Sequence, residues 1–66
     1  MGDIARKVAL FNTAYKIAFA YFTDKPNVRG VARRLNVAIR QRIAKGAVDP
    51  RALADEVIKE IESEGG

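Results

Sequence analysis

Arg29, Arg33, Asn36 and Arg40 follow one another at intervals of four, three and four residues, in a stretch without a single acidic side chain. At the rotation of an α-helix, about 100° per residue, they fall within about 60° of one another and form a stripe of positive charge containing one amide. The stripe runs beside an apolar face, with Arg34 on another side and Arg42 bordering the apolar residues. Like charges one turn apart repel by roughly a few tenths of a kcal/mol per pair, so an uncompensated stripe asks for negative charge opposite it. Most of the cations between Lys25 and Lys45 are arginines, whose planar forks bind phosphate oxygens in pairs and stack on bases. Nucleic-acid phosphates are the most economical external partner. Arg29, Arg33 and Arg40 are the leading candidate contacts, with Arg34 and Asn36 secondary. Asn36 is placed to reach a base edge, whereas Gln41 would do so only if a different face were presented. No aromatic residue is interleaved with the arginines, which disfavours a stacking platform for single strands.

Other chemistries lack their residue types. With no Cys and no His, the chain has no thiol nucleophile, no disulfide framework, no thiolate metal site and no imidazole to act as proton shuttle. Thr13, Thr23, Ser63 and the two tyrosines have no His beside them to act as base. Gly30 stands alone and Gly46 sits at the end of a stretch, so there is no phosphate-cradling loop. Glu56 and Glu60, four residues apart, suit solvation better than cation binding. The expectation is a non-enzyme with no catalytic residue, no cofactor, no metal and no small-molecule substrate.

These side chains must be positioned by helices. Asp24-Lys25-Pro26-Asn27, Gly46-Ala47-Val48-Asp49-Pro50 and Gly65-Gly66 divide the chain into three stretches. In the first, Ile4, Val8, Phe11, Tyr15, Ala18 and Phe22 recur at helical spacing, with Leu10, Ala14, Ile17 and Tyr21 as a second row and Asp3 as N-cap. Together with Phe19 the rows cover an arc of roughly 200°, about twice the stripe of an ordinary surface helix. The second stretch puts Val28, Val31, Leu35, Ala38 and Ile39 on one face, extended by Ala32 and Ile43. Asp24 or Asn27 caps its start, Pro26 suits the first turn, and Gly46 suits a left-handed end. In the third, Asp49 caps a helix begun by Pro50, with Val48 placed to staple against Leu53. Leu53, Ala54, Val57, Ile58 and Ile61 make its apolar face. No alternating run supports a sheet. The prediction is an all-α single domain over residues 1–66, a three-helix up-down-up bundle with helices at about 4–22, 27–45 and 50–63.

The run Val31-Ala32-Arg33-Arg34-Leu35-Asn36-Val37 resembles the first helix and turn of helix-turn-helix proteins, and Ile39 to Gly46 is similar to the end of a short recognition helix in that family. The resemblance spans about sixteen residues and omits roughly three that the turn and second helix need. Ala38 is a poor cap for a new helix, and the apolar period continues through Asn36, so an unbroken second helix is expected.

Charge is distributed unevenly. Residues 1–24 carry +1, residues 25–45 carry +7 and residues 46–66 carry −4, which together give the net +4 of the 66-residue chain. Antiparallel packing would bring some second-helix arginines near Asp55, Glu56, Glu60 or Glu62, but it would leave a residual positive face. Two readings follow: a basic DNA-binding or other nucleic-acid-binding module, or a self-associating or protein-docking bundle, natural or engineered, whose stripe the third helix neutralises. A homodimer is expected, with Phe11, Tyr15, Phe19 and Phe22 at the oligomer interface, since the wide arc of the first helix offers more apolar surface than one neighbour covers. The opening segment is interrupted by Arg6, Lys7, Asn12, Thr13 and Lys16 and does not read as a secretory signal. No segment is apolar enough to span a bilayer, so a cytoplasmic protein without a membrane partner is expected.

Overall fold

The computed structural model describes residues 2–25 and 28–65. Three helices, α1 (Gly2–Phe22), α2 (Val28–Ala44) and α3 (Pro50–Gly65), pack pairwise into an all-α bundle of 39 × 18 × 17 Å. Tyr21 at the end of α1 donates a hydrogen bond to Glu62 near the end of α3, so α1 and α3 run parallel. α2 runs against both: its late residue Arg42 meets Glu56 and Glu60, while Arg33 and Arg34 lie alongside Glu60 and Glu64. The up-down-up order is the one expected from the short connections. The helix ends shift by one or two residues, within the ordinary fraying of helix termini.

The core follows the helical spacings. α1 contributes Ala14, Ala18 and Phe22, α2 contributes Val31, Leu35, Ala38 and Ile39, and α3 contributes Leu53, Ala54, Val57, Ile58 and Ile61. Ala14 and Ala18 let α1 approach its neighbours closely, so its larger side chains spread to both sides. Phe11, Tyr15 and Phe19 stack one turn apart on one flank with ring centroids 5.7 Å apart, and all three are half-buried against the core. Leu10 and Tyr21 lie on the other flank, where Leu10 is half-buried and the exposed Tyr21 bonds to Glu62 of α3. The wide apolar arc of α1 is largely the consequence of two intramolecular neighbours. Its first turns run past that cover: Ile4 is 73% and Val8 54% exposed.

The α2–α3 connection is built by local hydrogen bonding. Gly46 has φ +108°, a left-handed conformation that costs an L residue strain. The Gly46 N–H donates to the Ile43 carbonyl and the Ala47 N–H to the Arg42 carbonyl, both at 3.0 Å, closing α2 with a Schellman motif. Asp49 Oδ1 then accepts from the Arg51 N–H at 3.1 Å, and the Asp49 carbonyl accepts from the Leu53 N–H at 2.9 Å, so Asp49 is the N-cap of α3.

Two local expectations are corrected. Val48 is 85% exposed and does not staple against Leu53; Ala47 turns toward the core instead. Asp3 lies inside the first turn of α1 rather than before it, where its carboxylate faces the positive end of the helix dipole instead of capping. The capping roles expected of Pro26 and Asn27, and the face taken by the Val28 side chain, lie outside the described residues.

Candidate nucleic-acid interface

α2 is continuous from Val28 to Ala44, so no turn forms at Asn36 and the basic residues keep helical phase throughout. Arg29, Arg33, Arg34 and Arg40 are exposed, while Asn36 is half-buried. Packing divides the stripe between two flanks. Arg40 borders a groove against α1 with Lys7, Val8, Phe11 and Ile43. Arg33 reaches the opposite groove, which it shares with Arg34, Gln41, Glu60 and Glu64. The structure therefore brings Arg33 and Arg34 together, two residues that projection had placed on different faces, and sets Arg40 apart from them.

The carboxylates of α3 are largely committed elsewhere. Arg42 Nη1 lies 2.7 Å from Glu56 Oε1 and its Nη2 lies 3.0 Å from Glu60 Oε1, so two acids one turn apart hold one guanidinium. The side chain is half-buried, with its Nε shielded and without a hydrogen-bond partner. Asp55 pairs with Lys59 at 3.7 Å along α3 itself, Glu62 accepts from Tyr21 at 2.7 Å, and Asp49 caps the helix. Among the described residues, none of Arg29, Arg33, Arg34 and Arg40 is in an ion pair. Internal compensation thus falls on Arg42, the arginine that borders the apolar face, and the outward arginines keep their charge.

Comparison with protein-family models, curated proteins and solved structures finds no match. The surface is read from its own chemistry.

The expected oligomer-interface residues occupy different environments. Phe22 is 4% exposed and belongs to the interior, with its ring edge-on to Tyr21 at 5.0 Å. Phe11, Tyr15 and Phe19 are half-buried against the core. The most exposed large apolar side chains of α1 are instead Ile4 and Val8, with Tyr21 and Ile17 also exposed.

Two of the hydroxyls are held in structural roles. Thr23 Oγ1 donates to the Phe19 carbonyl at 2.9 Å. The hydrogen bond to Glu62, reinforced by the negative charge of that carboxylate and by slight burial, pushes the Tyr21 phenol above its ordinary pKa and keeps it protonated. A cleft of about 550 Å³ opens between the first half of α1 and the α2–α3 turn. Its charged lining is Asp3, Arg6 and Lys7, its side-chain hydroxyl is Thr13, and the remaining walls are mainly apolar. Among the described residues, no group of three or more carboxylates is placed to hold a metal ion.

One exposed residue of α2 had no role in the expectation from sequence. Val37 is 51% exposed and stands at the middle of the outward face of α2, with Gln41 exposed one turn on. The signal was available in the helical phase: Val37 lies well away from the direction of Leu35 and Ile39. The arginine spacing includes Asn36 in the projected stripe, but Asn36 is half-buried.

Proposed function

We propose that this chain is a small non-catalytic nucleic-acid-binding module that holds phosphates with Arg29, Arg33, Arg34 and Arg40. The observation that carries the reading is the commitment of Glu56 and Glu60 to Arg42 while the four outward arginines remain unpaired among the described residues. Exposed guanidinium groups on a rigid helix are preorganised donors for phosphate oxygens, and their release of counterions makes binding depend on salt. The half-buried Asn36 takes a place at the edge of the contact.

Fluorescence anisotropy of labelled oligonucleotides across a salt series tests the reading. Neutralising three or four phosphates gives a log–log slope of about −3 to −4. Arg33→Glu with Arg40→Glu abolishes the complex while leaving the fold intact. Absence of any complex with duplex or single-stranded nucleic acid at low salt would reject the proposal.

A second reading, self-association, is favoured by the uncovered pair Ile4 and Val8 at the overhanging start of α1. Here the homodimer contact lies at that end rather than at the core residue Phe22. Sedimentation equilibrium of the chain and of Ile4→Glu with Val8→Glu separates the readings: a dimer dissolved by the double substitution supports self-association, and a monomer in both removes it.

A further inference from the structure

We infer that the outward face of α2 fits the major groove of duplex DNA, an inference that rests on the phosphate-binding reading above and narrows its partner to one form of nucleic acid. Burial fixes the direction in which α2 faces. Val31, Leu35, Ala38 and Ile39 point into the core, and the middle of the exposed arc carries Gly30, Val37 and Ala44 at intervals of seven residues, all exposed. This ridge has small or short apolar side chains over a length of about 21 Å. Cations flank it on both sides. Arg29 and Arg40 leave the backbone about 60–80° to one side of the ridge, while Arg34 and Lys45 leave it about 60–80° to the other, with Gln41 on that same side; Arg33 starts about 40° to the first side, but its side chain reaches the groove it shares with Arg34 and Gln41.

A low ridge between two charged edges matches a groove bounded by two phosphate strands. The major groove of B-form DNA is about 12 Å wide and admits one α-helix. The long arginines on either edge then reach different strands, and the short ridge lets the helix backbone approach the base edges. Val37 supplies an apolar contact suited to a thymine methyl group, and Gln41 supplies an amide suited to adenine. Asn36 does not share this face, because it leaves the helix about 100° from Val37 and is half-buried. The two edges are unequal. Glu60 and Glu64 line the groove of Arg33 and Arg34, whereas Arg40 has Lys7 beside its groove, so the α1 side attracts phosphate more strongly.

Other forms of nucleic acid do not satisfy both edges. The major groove of duplex RNA is deep and too narrow for a helix. A single strand supplies one backbone, and the ridge has no aromatic ring on which its bases would stack.

The test is fluorescence anisotropy of the whole chain with a 16-base-pair DNA duplex, an RNA duplex of the same sequence and the single DNA strand, all at one salt concentration. Duplex DNA should bind at least about tenfold more tightly than either alternative, and bulky substituents at pyrimidine C5, which project into the major groove, should remove most of that advantage. Val37→Trp raises the ridge without changing any charge. It should weaken duplex-DNA binding by about tenfold while leaving single-strand binding within about twofold, with circular dichroism confirming the fold. Equal affinity for the three partners, or insensitivity to the C5 substituents, overturns the groove inference and leaves the phosphate-binding reading standing. Absence of binding to all three overturns both.

Discussion

Arg42 separates the charge that stabilises this molecule from the charge left for a partner. Its side chain is half-buried, Glu56 and Glu60 hold its guanidinium, and its Nε is shielded without a partner. Truncation removes packing and two charge-assisted hydrogen bonds together, so Arg42→Ala should cost about 1–2 kcal/mol in urea unfolding. Arg42→Met keeps the apolar stem and removes the orphaned donor, and should cost under about 1 kcal/mol. Neither should weaken phosphate binding as much as loss of Arg33 or Arg40. Tyr21 gives a separate pH test. Because its phenol is raised in the folded state by Glu62, the folded chain holds that proton more tightly than the unfolded chain. The resulting stability is present below the ordinary tyrosine pKa of about 10 and is lost as pH rises through the folded value. The difference in urea midpoint between the native chain and Tyr21→Phe should therefore shrink between pH 8 and pH 11. A constant difference would show that the hydroxyl contributes nothing through its proton.

At the scale of elements, the clearest sequence information was local. Gly46 and Asp49-Pro50 marked the end of α2 and the start of α3 because a left-handed residue, a side-chain acceptor and a fixed φ act over a few bonds. Gly46→Ala meets open space at its Cβ, so its cost is the backbone conformation alone, about 1 kcal/mol. Asp49→Ala should cost about the same by leaving the Arg51 N–H without its acceptor. Val48→Ala should be nearly neutral in thermal unfolding, because Val48 is exposed rather than stapled. The staple failed as an expectation because the Schellman turn directs Ala47 inward and leaves Val48 facing solvent. An unbroken α2 was legible from the apolar period, which persists through Asn36 and outweighs a short helix-turn-helix likeness.

The whole molecule is a small bundle with little stability to spare. A chain of this size removes only about 60% of its unfolded surface from water. Leu35 is fully buried where the three helices meet, and Leu35→Ala should cost about 2–5 kcal/mol, enough to leave much of the chain unfolded at 37 °C by circular dichroism. The helical spacing determined, without tertiary information, that the chain forms three helices with these apolar faces and a strongly basic second segment. Periodicity reports which residues share a side of one helix, and summed charge reports how much of each sign that segment carries. Tertiary packing decided which acids meet which arginines, because the answer depends on how helices are rotated and slid against one another. It placed α1 between two neighbours and hid Phe22. It gave Glu56 and Glu60 to Arg42. It also turned Val37 outward, leaving the arginines of α2 to face the solvent on either side of it.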